Sequence, residues 1–215
     1  MNFLGHTHVA LAGGDDDPGF VLGAVLPDLA PMAGIRLAAR QLEGPLGDGV
    51  RCHLRADAAF HADPRFVTGS RALRQALAAR GVESGPARAV GHAGWELLLD
   101  GTLVATEAED AFRGALARGE RALPALADGD RERWAAFLAR RRSSSGLHYD
   151  DPAWVADRLY AMLARRPRLA LPAGQVPLVA DVLATQAPSV REVAAAVLDD
   201  TARQVSGPGG ARPLV

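Results

Sequence analysis

Where this chain is patterned, its apolar positions recur every three or four residues, the spacing that lines one face of a helix. The segment PRFVTGSRALRQALAARG shows it most plainly, with Phe66, Leu73 and Leu77 on one helical period. Asp63 and Pro64 open it as an N-cap followed by proline at the first helical position, and Gly81 supplies a stop. PARAVGHAGWELLLDGTLV carries a second stripe through Val90, Leu97 and Leu98, and ATEAEDAFRGALARG and DRERWAAFLARRR continue the rhythm. SSSGLHYDDP reads as a loop, after which Asp151 and Pro152 open a helix over PAWVADRLYAMLARR. The last long pattern, from about 174 to 205, contains VREVAAAVLDDTARQV behind a proline-broken turn. The tail GPGGARPLV is expected to be loose. GDGVRCHLRADAAFHADPRF, between about 47 and 66, shows none of the alternation of a strand. No repeat or interdomain linker breaks the chain. The prediction is all-α: one single-domain bundle of about eight to ten helices over residues 1–205, with a flexible tail over 206–215.

Composition agrees, since alanine, leucine and arginine dominate and only 5% of residues are aromatic. At 215 residues and 48% hydrophobic, the chain can bury a sizeable core as a soluble globular protein. All 24 basic residues are arginine, which excludes a Schiff-base or P-loop lysine. Against 25 acidic residues they leave a net charge of −1, so nothing electrostatic favours nucleic acid or an anionic membrane as partner. The single cysteine, Cys52, excludes an intramolecular disulfide and any multi-cysteine metal site, and its neighbourhood reads as core. The opening MNFLGHTHVALAGGDDD lacks a basic n-region, and no apolar run approaches the roughly 20 residues of a membrane helix. A cytoplasmic location is expected.

The candidate chemistry is histidine and carboxylate at helical spacing. His53, Asp57 and His61 are successively four apart, as are His92, Glu96 and Asp100. Side chains four apart can share a cation, and two such helices packed face to face would deliver mixed nitrogen and oxygen ligands. Imidazole and carboxylate without thiolate suit manganese, iron, zinc or magnesium and do not choose among them. A metal there would lower the pKa of a bound water and polarise a phosphoryl or carbonyl oxygen. His6 and His8 point to different sides of any helix, so at most one of them is a ligand. Asp28 follows the apolar run VLGAVLP, and reads either as a buried ligand or as an N-cap beside Pro27. Each His–carboxylate pair taken alone also fits a solvent-facing pair. His61 leans towards the cap region before Asp63, His148 towards solvent, and Arg140, Arg141 and Arg142 towards a solvated helix end. No Gly-x-Ser-x-Gly elbow occurs, and LAGGDDDPG and GPGG read as turns.

Four segments, MNFLGHTHVAL, VLGAVLPDL, GVRCHLRADAAFHADPRF and MLARRPRL, together resemble the bacterial acyl carrier protein phosphodiesterases, in order over residues 1 to about 170. That family opens with Met-Asn-Phe-Leu-Ala-His-x-His and continues with a buried aspartate. A Gly-Ile-x-x-His-Arg-Arg-Ile-Asp motif, a Trp-Asp-His helix and an Arg-Arg-Pro-Arg-Leu segment follow. His6 and His8 match the opening histidines, Asp28 the buried aspartate, and His53 and Asp57 the ends of the central motif. Arg165, Arg166 and Arg168 match the late arginines, while Trp95-Glu96-Leu97 stands where the family has Trp-Asp-His, with His92 one turn earlier. The resemblance implies an HD-like helical fold, a divalent metal, and hydrolysis of the phosphodiester that joins 4′-phosphopantetheine to acyl carrier protein.

The leading expectation is therefore a metal-dependent phosphoric-ester hydrolase. His53, Asp57, His92 and Glu96 are the first candidate ligands, with His6 and Asp28 next. Whichever of Asp28, Asp57 or Asp100 is not tightly bound would orient or deprotonate a water, and Arg55 or Arg165, Arg166 and Arg168 would hold the phosphate. A different small phosphoester or nucleotide is the alternative substrate. A non-catalytic helical binding module is the alternative to an enzyme.

Overall fold

The computed structural model describes residues 1–13, 16–37, 42–119, 128–142 and 146–206. Its α-helices are α1 Phe3–Ala12, α2 Pro18–Met32, α3 Gly44–Ala62, α4 Pro64–Ala79, α5 Ser84–Asp100, α6 Glu107–Arg118, α7 Asp128–Arg142, α8 Pro152–Leu163 and α9 Val176–Ser206. Short 3₁₀ turns at Gly101–Leu103 and Ala173–Gln175 complete the regular structure, and no strand occurs among the described residues. The fold is all-α.

Three helices begin with the same device, an aspartate whose carboxylate accepts from the first turn while a proline occupies the first helical position. Asp63 caps α4 and Asp151 caps α8, through Arg65 N–H at 2.7 Å and Ala153 N–H at 2.8 Å. The third is Asp17, which accepts from Gly19 N–H at 2.7 Å and opens α2 out of a glycine- and aspartate-rich piece that reads as a turn. Gly81 ends α4 with φ +84°, a left-handed conformation that costs glycine little.

Two boundaries depart from the sequence reading. The expected proline-broken turn is absent: α9 runs unbroken through Pro188. Val182, Leu183, Ala187, Val190 and Ala194 keep one buried stripe across the proline, and that burial outweighs one missing backbone hydrogen bond. Helix α8 stops at Leu163 instead of running to Arg166, and turns follow it. The predicted loose tail lies outside the described residues beyond Ser206.

The chain groups into two compact units. One comprises Met1, Phe60–Val104 and Leu147–Val197; the other Asn2–Ala59, Ala105–Gly146 and Leu198–Val215. In the first, α4 and α5 pack along each other. Leu73 and Leu77 are fully buried, each worth about 1.5–3 kcal/mol of apolar burial. Gly91 lets the two backbones approach, because a Cβ there would come within 2.9 Å of the Ser70 carbonyl.

In the second unit α1, α2 and α6 pack mutually, and buried Trp134 of α7 donates its indole N–H to the Gly119 carbonyl at 3.0 Å. Helices α2 and α3 cross almost backbone to backbone. A Cβ on Gly23 would sit 2.2 Å from the Leu46 carbonyl oxygen, and one on Gly49 2.1 Å from that of Phe20. No larger residue fits either position without parting the helices. This crossing sets the geometry of the first cluster below.

Candidate metal centres

The Gly23–Gly49 crossing carries His53, one turn beyond Gly49, up to the first turn after Gly23. There the His53 Nδ1–H donates to the Ala24 carbonyl oxygen at 2.8 Å. A carbonyl only accepts, so the bond places the proton on Nδ1 and leaves Nε2 with a lone pair when the ring is neutral. This is the arrangement that orients a metal-ligating imidazole.

The His6 ring, from α1, stacks on His53 with centroids 3.8 Å apart and planes 21° apart. His6 is 1% exposed, and its Nε2 lies 3.9 Å from Asp28 Oδ2 and 3.8 Å from Asp57 Oδ1. These separations exceed a direct hydrogen bond and leave room for a bridging cation or water. His6, Asp28 and His53 each offer a ligand atom within 4.8 Å of the others. The Asp28 and Asp57 side chains are 36% and 38% exposed, but Asp28 Oδ2, the oxygen nearer His6, is itself buried.

A second trio lies in the other unit. His61 Nε2 is 3.0 Å and His92 Nε2 3.2 Å from the same oxygen, Glu96 Oε1. The two imidazoles stack at 5.0 Å, and the Phe66 ring meets each edge-on at 5.2 Å. The Met1 ammonium stands 3.4 Å from Glu96 Oε1. Burial alone would raise the Glu96 carboxyl. The hydrogen bonds from His61 and His92, with the charges of the Met1 ammonium and His92, outweigh it and hold Glu96 well below the usual carboxylate range.

The six candidate ligands thus fall into two groups. His6, Asp28 and His53 come together with Asp57, while His92 and Glu96 associate with His61. His61 is not part of a cap: Asp63 does the capping, and its carboxyl is held low chiefly by the hydrogen bond from the Arg65 side chain. The signal for His61 was present as the third rung of the His53–Asp57–His61 ladder. Asp28 is not an N-cap, since α2 continues through Pro27, and its side chain is only partly buried, with Oδ2 turned inward. Asp100, the last rung on α5, is fully buried and belongs to neither group. His8 points elsewhere from His6; burial lowers its pKa, partly offset by the charge of Asp199.

The expected phosphate-binding arginines are placed less directly. Arg55 lies two positions from both His53 and Asp57, so its side chain leaves α3 about 200° around the axis from theirs. Arg165, Arg166 and Arg168 are exposed in the turns after α8. The Arg168 carbonyl lies against Gly85, two helical turns upstream of His92. Arg141, read as part of a solvated helix end, instead lays its guanidinium over the rings of Phe3 at 5.3 Å and Phe137 at 5.7 Å. Cys52 is buried and in no disulfide, and His148 is exposed, both as expected.

No family model, curated protein or solved structure matches this chain. No helix among the described residues is long and apolar enough to cross a membrane.

Proposed function

We propose that this chain is a metal-dependent phosphoric-ester hydrolase whose reaction centre is the His6–Asp28–His53–Asp57 cluster. The observation that carries the reading is the Nδ1–H bond from His53 to the Ala24 carbonyl, beside a second buried imidazole and two carboxylates. Two imidazoles and two carboxylates fit a divalent ion of the manganese, iron or zinc kind, with magnesium the poorest match. Such an ion, when bound, supplies a water acidified towards neutral pH and a Lewis acid for a phosphoryl oxygen.

The protein's own part follows from its geometry. Ala24 fixes the His53 tautomer, so Nε2 is presented without a proton. Stacking on His53 holds the His6 ring in place, which saves reorganisation during reaction. Asp28 and Asp57 are partly exposed, so a carboxylate oxygen can accept a proton from an attacking water. Helices α2 and α3 also contribute Pro27, Val50 and Leu54 to a cleft of ≈ 690 Å³ lined with Ile35, Arg36 and Leu37, though none of the four cluster residues lines it. That cleft is mostly apolar, the kind of surface that would accept a slender, weakly polar arm of a phosphoester. The 4′-phosphopantetheine ester of acyl carrier protein has that form, and is the substrate that the sequence resemblance implies.

The test is elemental analysis of protein purified without chelator or nickel resin, for wild type and His53→Ala, alongside hydrolysis assays. We expect His53→Ala to lose the metal at this cluster together with hydrolysis of holo-acyl carrier protein. Near wild-type hydrolysis by His53→Ala would overturn the assignment. Hydrolysis of generic phosphodiesters but not of the carrier protein would keep the centre and change the substrate.

A further inference from the structure

The His61–His92–Glu96 trio makes no part of the centre just described, yet it has the attributes of a binding site. Its two imidazole nitrogens come from separate helices, α3 and α5, and converge on a single oxygen of Glu96, which the Met1 ammonium also approaches. A divalent ion 2.0–2.1 Å from its ligands sets neighbouring donors about 2.8 Å apart in octahedral geometry and about 3.4 Å apart in tetrahedral geometry. The observed 3.0 and 3.2 Å fall within that interval.

The rings are also held in orientation. Phe66 meets both imidazoles edge-on, and Phe60 meets His61 at 5.3 Å with planes at 73°. The site is graded in exposure: Glu96 is 14% exposed, His61 32% and His92 51%. The anion therefore sits deepest, and the face formed by the histidines is open to water, which leaves coordination positions for exchangeable ligands.

We propose that His61, His92 and Glu96 form a second metal site, independent of His6, Asp28 and His53, that takes one divalent transition ion with an affinity for imidazole, of the zinc class. Two imidazoles select against calcium and magnesium, and the lack of thiolate selects against copper(I). The open face makes this an exchangeable site. The same distances would serve a hydrogen-bonded His–Glu–His trio, so metal uptake is what separates the two.

The experiment is equilibrium dialysis of the full chain against Co²⁺, with visible d–d absorption as a second readout. It compares wild type with His61→Ala, His92→Ala, Glu96→Gln and His53→Ala. His92→Ala removes one of the hydrogen bonds to Glu96 and should melt somewhat below wild type in chelator; a cooperative transition above the assay temperature keeps the test independent of folding. We expect wild type to bind one more Co²⁺ than His92→Ala. Loss of any one of the three ligands should weaken that ion by more than about 100-fold. In His53→Ala the same ion and its absorption band should persist. One Co²⁺ lost only through His61, His92 or Glu96 supports this site while removing the metal from the proposed hydrolytic centre. Equal Co²⁺ binding and spectra in wild type, His61→Ala and His92→Ala overturn it, as does loss of all Co²⁺ in His53→Ala.

Discussion

Substituting Gly49 by alanine tests the link between helix packing and the buried His6 and His53 rings. The new Cβ would lie 2.1 Å from the Phe20 carbonyl oxygen and 2.9 Å from the Gly23 Cα, both backbone atoms that cannot swing aside. Reaching an ordinary contact of about 3.4 Å requires α2 and α3 to part by about 1.3 Å. The same movement stretches the His53 Nδ1 to Ala24 distance from 2.8 Å to about 4 Å, beyond any hydrogen bond. Overpacking of this kind costs about 1–3 kcal/mol and the lost bond about 0.5–1.5 kcal/mol, so Gly49→Ala should destabilise by about 2–4 kcal/mol. For a chain of this size that lowers the melting temperature by about 4–16 °C. Thermal unfolding in chelator measures this, and metal titration of the same variant should show weakened binding at the His6–Asp28–His53 cluster. Gly114→Ala in α6 is the control: a Cβ there meets nothing within 4 Å, and it should stabilise by about 0.5–1 kcal/mol. A Gly49→Ala protein that melts with wild type would refute the argument that this crossing is locked. One that melts low but binds metal normally would refute the connection to His53.

Two further predictions concern charge and capping. The folded-state pKa of Glu96 is depressed, so its contribution to stability is complete above the ordinary glutamate range and is lost as pH falls below it. Denaturant unfolding at pH 7 and pH 3.5 should therefore show a smaller loss of stability for Glu96→Gln than for wild type; equal losses would contradict the assignment of that stabilisation to Glu96. Asp63→Ala removes both the α4 cap and the pair with Arg65, and should cost about 0.5–2 kcal/mol in urea unfolding. Asp63→Asn keeps a capping oxygen and should recover most of that loss.

The elements that were legible in the sequence are those set by short-range chemistry. Asp63–Pro64 and Asp151–Pro152 announced two helix starts, and Gly81 a helix end, because each feature acts within a turn of backbone. The unbroken course of α9 through Pro188 was not legible, since it depends on what its buried stripe meets elsewhere in the chain. The same holds for α2, whose Pro27 and Pro31 argue locally against a helix that nevertheless forms.

The candidate ligands divide along the same line. Spacing on α3 placed His53, Asp57 and His61 on one stripe, and the stripe exists; which partners face each rung is a tertiary matter. His53 is addressed by Ala24 because two glycines admit a backbone-to-backbone crossing, and Gly23 and Gly49 show nothing of that until the helices are paired. His61, two turns further on, belongs to the other unit and is addressed by Glu96 instead. One helical face thus supplies two groups of ligands, because periodicity fixes which residues share a side and packing decides what that side meets. The metal titrations of His53→Ala and His92→Ala therefore bear on separate premises: the first on the glycine crossing of α2 and α3, the second on the convergence of α3 and α5 upon Glu96.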